Sequence, residues 1–157
     1  MRKFRVLLFV ILSTLLTVSL GFAAGRGTFT AKLSGHEVVP AVKTKAKGEA
    51  VFMLSKDGKE MSYKLTVNDL ENITAAHIHL GKKGMSGPPL VGLFAGPTKE
   101  GKFSGVLAEG KITEKELLGN LAGKPLGDLV KLIRGGKTYV NVHTVAHPDG
   151  EIRGQIR

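Results

Sequence analysis

Four of the five histidines in this 157-residue chain fall in two short segments. The first is "ITAAHIHLGKKGMSGPP", residues 73–89, in which His77 and His79 are separated by one residue. The second is "YVNVHTVAHPDGEIRGQIR", residues 139–157, with His143 in an apolar run and His147 in the turn that follows. Imidazole is a good ligand for copper, zinc and nickel, and its neutral form dominates at neutral pH. Three or four such rings in one place would make a metal centre.

That depends on which way each ring points, and strand periodicity answers it. Successive side chains of a strand point to opposite faces. In "TAAHIHL", Ala76, Ile78 and Leu80 share one face, and Ala75, His77 and His79 share the other. The apolar set takes the core, so the two histidines stand together, with Cα atoms about 7 Å apart. In "YVNVHT", Val140 and Val142 take the core face while Tyr139, Asn141 and His143 take the opposite one. If the two strands are neighbours, His77, His79 and His143 converge, and His147 can swing in from the turn as a fourth ligand. The fifth histidine, His36 in "SGHEVV", stands alone and reads as a surface residue. H-x-H alone is a loose motif; the pair together with a late strand histidine is more specific.

Other constellations carry less. Glu151, Arg153, Gln155 and Arg157 alternate with Ile152 and Ile156, and Glu151 with Arg153 reads as an ion pair within a sheet. No nucleophile stands near enough in sequence to make them a catalytic pair. "GKKGMSGPP" lacks the spacing of a phosphate-binding loop and no helix follows it.

The elements that must position the histidines are short strands punctuated by turns. "TFTAKLSG" alternates, with Phe29, Ala31 and Leu33 inward. "GEAVFMLSKDGKEMSYKLTV" is a hairpin turning at Lys56-Asp57-Gly58-Lys59. "NITAAHIHL", "LVGLFAG", "GKFSGVLAEGKI", "TYVNVHT" and "GEIRGQIR" are further strands. One segment, "ITEKELLGNLAGKPLGDLVKLIRGGK", carries a helical pattern. Thr113 and Glu116 form a capping box, Leu126, Leu129, Leu132 and Ile133 make an apolar stripe, and Gly135 and Gly136 stop it. About eight strands with one helical insertion before the last two predict an all-β, Greek-key β-sandwich.

The N-terminus has the layout of a secretory signal peptide over residues 1–24. Arg2, Lys3 and Arg5 precede an apolar run from Val6 to Leu20, and the small residues Gly21, Ala23 and Ala24 follow. The alternative is an uncleaved membrane anchor, for which the run is short. Cleavage leaves a domain over 25–157, large enough for its own core. It contains no cysteine, so packing holds it together and not disulfides. Its formal charge falls from +10 to +7 when the three leader cations go; the scattered lysines read as a solvated surface, and the alternative is an acidic partner such as an anionic glycan. Scattered lysines, the absence of Trp and the export signal argue against nucleic acid.

Three stretches together resemble the CHRD domain, the module of animal chordin and of many secreted microbial proteins. They are "FTAKLSGHEVVPAVKTKAKGEAVFML", "LTVNDLENITAAHIHLGKKGMSGPPLVGLF" and "YVNVHTVAHPDGEIRGQIR", and the resemblance spans Phe29 to Arg157. It implies an extracytoplasmic binding or structural module, secreted or periplasmic, with an extracellular protein as partner; the acidic glycan is what the basic charge adds. A looser similarity is to Cu/Zn superoxide dismutase, which also pairs H-x-H with a late strand histidine as copper ligands. The matching positions are His77, His79 and His143. The bridging histidine, the zinc-site aspartate with its histidines and the cysteines of that enzyme have no counterpart here.

Three functions follow as expectations. One is a CHRD-type binding or structural module with a copper or zinc site at His77, His79, His143 and His147. Another is a copper-dependent redox protein using the same residues, with Arg153 as a nearby positive charge. The last is a cell-envelope adhesion module whose basic surface holds acidic glycans.

Overall fold

A computed structural model describes residues 27–157; the predicted signal peptide, residues 1–24, lies outside them. The described chain folds into six strands and one short helix: β1 (Thr28–Ser34), β2 (Lys47–Leu54), β3 (Met61–Leu80), β4 (Pro89–Ile112), α1 (Leu126–Arg134), β5 (Thr138–Thr144) and β6 (Ile152–Gln155). The strands form one antiparallel sheet in the order β2-β1-β6-β5-β3-β4. A further pairing of β2 with β3 closes five of them into a barrel, with β4 lying outside the ring along β3.

The all-β class therefore holds, but a six-stranded closed sheet takes the place of the expected eight-stranded sandwich. The difference has a local cause. Two pairs of segments that read as separate strands are continuous, 61–80 as β3 and 89–112 as β4. The polar stretch "VNDLEN" looks like a turn but is an irregularity inside β3. Asp69 and Asn72 adopt left-handed backbone (φ 57° and 52°), the region that Asp and Asn tolerate best after glycine. The Ser104 hydroxyl accepts from the Asp69 N–H at 3.0 Å, and the Asn72 side chain accepts from the Gly101 N–H at 2.8 Å. These bonds keep β4 attached across the irregularity while the register shifts. The first part of β3 then pairs with β2 and the last part with β5, which closes the barrel.

The hairpin between β2 and β3 turns where expected. Asp57 accepts hydrogen bonds from the Ser55 hydroxyl and the Lys59 N–H, and Gly58 supplies the positive φ. Phe29, Ala31 and Leu33 are buried as the alternation requires, with Phe52, Leu65, Ile78, Val140, Val142 and Ile152. The helical insertion is shorter than its pattern. The Thr113–Glu116 capping box closes only a 3-10 turn, a second such turn covers Gly119–Leu121, and Pro125 starts α1. Leu126, Leu129, Val130 and Ile133 of α1 join the barrel's buried cluster. Each such side chain contributes roughly 1.5–3 kcal/mol of burial.

Candidate metal centre

The late part of β3 and β5 are neighbours, so the two histidine segments meet. In their register Ala75 faces His143, His77 faces Asn141 and His79 faces Tyr139. Ala76 and Ile78 are buried inside the barrel, which leaves His77 and His79 on its outer face with His143. The ring centroids are 5.5 Å apart for His77 and His79, 5.2 Å for His77 and His143, and 5.7 Å for His79 and His143. One nitrogen from each ring lies within 4.8 Å of the other two.

The hydrogen bonds say which nitrogens are free. His79 Nδ1 is 2.9 Å from the Gly87 carbonyl, and His143 Nδ1 is 2.8 Å from the Pro148 carbonyl. A carbonyl can only accept, so each Nδ1 is the N–H and each Nε2 carries the lone pair. Those two Nε2 atoms are buried with no partner, and so is His77 Nδ1. Backbone carbonyls that fix the tautomers of His79 and His143 and leave each Nε2 lone pair unpartnered are the arrangement metal-binding histidines use. Zinc and copper bonds to imidazole run about 2.0–2.1 Å.

Electrostatics keeps the lone pairs available. Burial, reinforced by the neighbouring His143 and His79, pushes the His77 imidazole down to about 4. His79 is also lowered, by burial first; the Gly87 carbonyl opposes this, while His143 and Arg153 add to it. Both rings are neutral at neutral pH.

The site is roofed. Two connections fold over this face, residues 81–88 between β3 and β4 and residues 145–151 between β5 and β6. Tyr139 is 3% exposed and Asn141 5%, although both stand on the outer side of the sheet. Arg153 donates to the carbonyls of Lys82 (3.1 Å) and Met85 (2.7 Å), and its guanidinium lies 3.5 Å over the Tyr139 ring. Gln155 reaches the carbonyls of Gly81, Gly136 and Thr138. Gly81 comes so close to the Tyr139 ring that a Cβ there would stand 2.8 Å from it. On the other side Asn141 donates to the Asp149 carbonyl at 2.9 Å. Gly150, at φ 121°, leaves the space that the Asn141 amide fills.

His147 does not belong to the three-ring group. Its backbone builds the turn: its N–H donates to the Thr144 carbonyl, and its carbonyl accepts from the Gly150 N–H. His36 is exposed, as its isolated position suggested. The expected Glu151–Arg153 ion pair does not form. Residues two apart on a strand can share a face, but the Glu151 carboxylate accepts from the hydroxyls of Thr44 and Thr144, both at 2.8 Å. Arg153 has the carbonyls and the Tyr139 ring instead. Sequence reasoning placed Tyr139 on the His143 face and gave it no role, because only the register shows it opposite His79. The carbonyls of Gly87 and Pro148 carry no side-chain signal at all.

A family model described as the CHRD domain matches residues 29–156. The chain belongs to the CHRD domain family. This match covers both histidine segments and every strand that positions them, from β1 to β6. No curated protein and no solved structure matches the chain. In this CHRD domain the histidine face is therefore read from its own geometry. Among the described residues no helix is long and apolar enough to cross a membrane.

Proposed function

We propose that this CHRD domain is an extracytoplasmic binding or structural module that carries a three-histidine centre for copper or zinc. The observation that supports it best is the cluster of His77, His79 and His143, each offering one ring nitrogen within 4.8 Å of the other two, together with the burial of His77 Nδ1, His79 Nε2 and His143 Nε2 without a partner. A buried polar atom without a partner is expensive in a folded protein. Three of them in one cluster are explained by one shared ion. His147 is left in the turn as a residue outside the set.

The export reading rests on the N-terminal pattern and the family. A partner outside the cell would be a protein or an acidic glycan; one surface depression is lined by Lys32 and Arg157 beside the Lys83–Glu37 ion pair, an excess of positive charge that favours the latter. The dismutase-like alternative has less support. Among the described residues the three histidines are the sole group of metal-ligating side chains, so a second metal has no place beside the first.

The test is thermal unfolding of the purified domain with and without one equivalent of copper or zinc. An ion that binds only the folded state raises the transition temperature, and His77→Ala/His79→Ala should abolish that rise. An equal rise in the double variant sinks the site.

A further inference from the structure

We infer that the three-histidine centre favours a monovalent ion, cuprous copper, over the divalent ions, and that Arg153 sets this preference. The inference rests on the metal-centre reading and names its ion.

The charge of the site carries it. The three donors are neutral rings, and no carboxylate or thiolate belongs to the group. A divalent ion there would keep its full charge of two. Arg153 already places one positive charge against the same face: it is 3% exposed, and guanidinium does not lose its proton in proteins. Its hydrogen bonds go to neutral carbonyls, and its plane lies on Tyr139, which in turn stacks on His79. The two stacking distances put the guanidinium within roughly 9 Å of the His79 ring.

Among the described residues no carboxylate forms an ion pair with Arg153. Glu37, whose charge acts on Arg153, is paired with Lys83 at 3.1 Å. Glu151 is bound by Thr44 and Thr144, and the Thr144 side chain projects to the face opposite His143. Adding a second unit of metal charge at this range, with an effective dielectric of about 20, disfavours the divalent ion by roughly tenfold to twentyfold.

Donor number points the same way. Cuprous copper is satisfied by three imidazoles. Cupric copper favours tetragonal sets, and zinc needs a fourth ligand. Donor number alone does not exclude zinc, since three histidines and a water are a known zinc set; the charge is what separates them.

The experiment measures two affinities in each protein. Cuprous copper is titrated without oxygen against a chromogenic cuprous chelator, and zinc against a fluorescent zinc chelator. The proteins are the wild-type domain, Arg153→Lys and Arg153→Met. A misplaced His79 weakens both ions together, so the ratio of affinities reports the charge and not the positioning. The wild type is expected to hold cuprous copper more tightly than zinc. Arg153→Met should reduce the ratio about tenfold, and Arg153→Lys should keep it within about threefold. Zinc held at least as tightly as cuprous copper in the wild type overturns the inference while leaving a metal centre in place. So does a ratio unmoved in Arg153→Met. Failure of the wild type to bind either ion removes the centre itself, and the inference with it. Should Arg153→Met fail to fold, the wild-type comparison decides.

Discussion

His79 and Tyr139 stand directly opposite each other on β3 and β5, with ring centroids 5.2 Å apart and planes 15° from parallel. Tyr139 is thus a wall of the histidine site. Its hydroxyl accepts from the Gly87 N–H at 3.2 Å, and the Gly87 carbonyl is the group that holds His79 Nδ1. One tyrosine therefore supports the imidazole through its ring and the imidazole's hydrogen-bond partner through its oxygen.

Tyr139→Phe and Tyr139→Leu separate these two roles. Phe keeps the stacked ring and loses the bond to Gly87, so copper affinity should fall only a few-fold. Leu loses both and should cost roughly 10–100-fold, the range found for groups that orient a metal ligand. Competition titration reads the difference. Equal losses in the two variants would show that the ring contact does nothing for the site.

Removing a ligand should cost at least as much as removing its support. His77→Ala and His143→Ala should each weaken copper binding by about tenfold or more. His36→Ala and His147→Ala should leave it within about threefold, since neither belongs to the three-ring group. If all four variants behave alike, the convergent site is wrong.

Acid should destabilise the metal-free domain through His77. Its folded-state value is depressed to about 4, against about 6.5 for an unhindered imidazole. Between those values the unfolded chain binds more protons than the folded one, so stability rises with pH. It is fully present above about 6.5 and is lost as pH falls towards 4. Denaturant unfolding at pH 7 and pH 5 should show this loss, and His77→Ala should reduce it.

Gly150→Ala should harm both fold and site. The residue sits at φ 121°, and its missing side chain makes room for the Asn141 amide. A methyl group there displaces the segment that presents the Pro148 carbonyl to His143. A loss of roughly 1–3 kcal/mol is expected, with weaker copper binding in the fraction that remains folded. Chemical denaturation alongside titration checks both.

Much of the site was legible in the alternation of two short strands. Ile78 and Val140 had to face the core, so His77, His79 and His143 had to face away from it. What alternation cannot supply is register, which comes from pairings between residues far apart in sequence. Register is what sets Tyr139 against His79. The strand count was missed for a related reason. Asp69 and Asn72 carry the composition of a turn, but they accommodate a bulge in a strand that stays paired with β4 on both sides of it. Arg153 was assigned to the acidic residue nearest in sequence; the carbonyls it binds lie 68 and 71 positions away. The capping box at Thr113 was read correctly, yet its helix ends after one turn, since a cap starts a helix without fixing its length.

The most direct test is the metal stoichiometry of the purified domain, titrated with copper and zinc beside the His77→Ala/His79→Ala variant. The expected result is one ion per chain in the wild type and none held tightly in the variant, with the same β-rich circular dichroism in both. Absence of binding in a folded wild type, or equal binding in the two proteins, would contradict a metal centre at His77, His79 and His143. The histidines would then belong to the packing of the outer face alone.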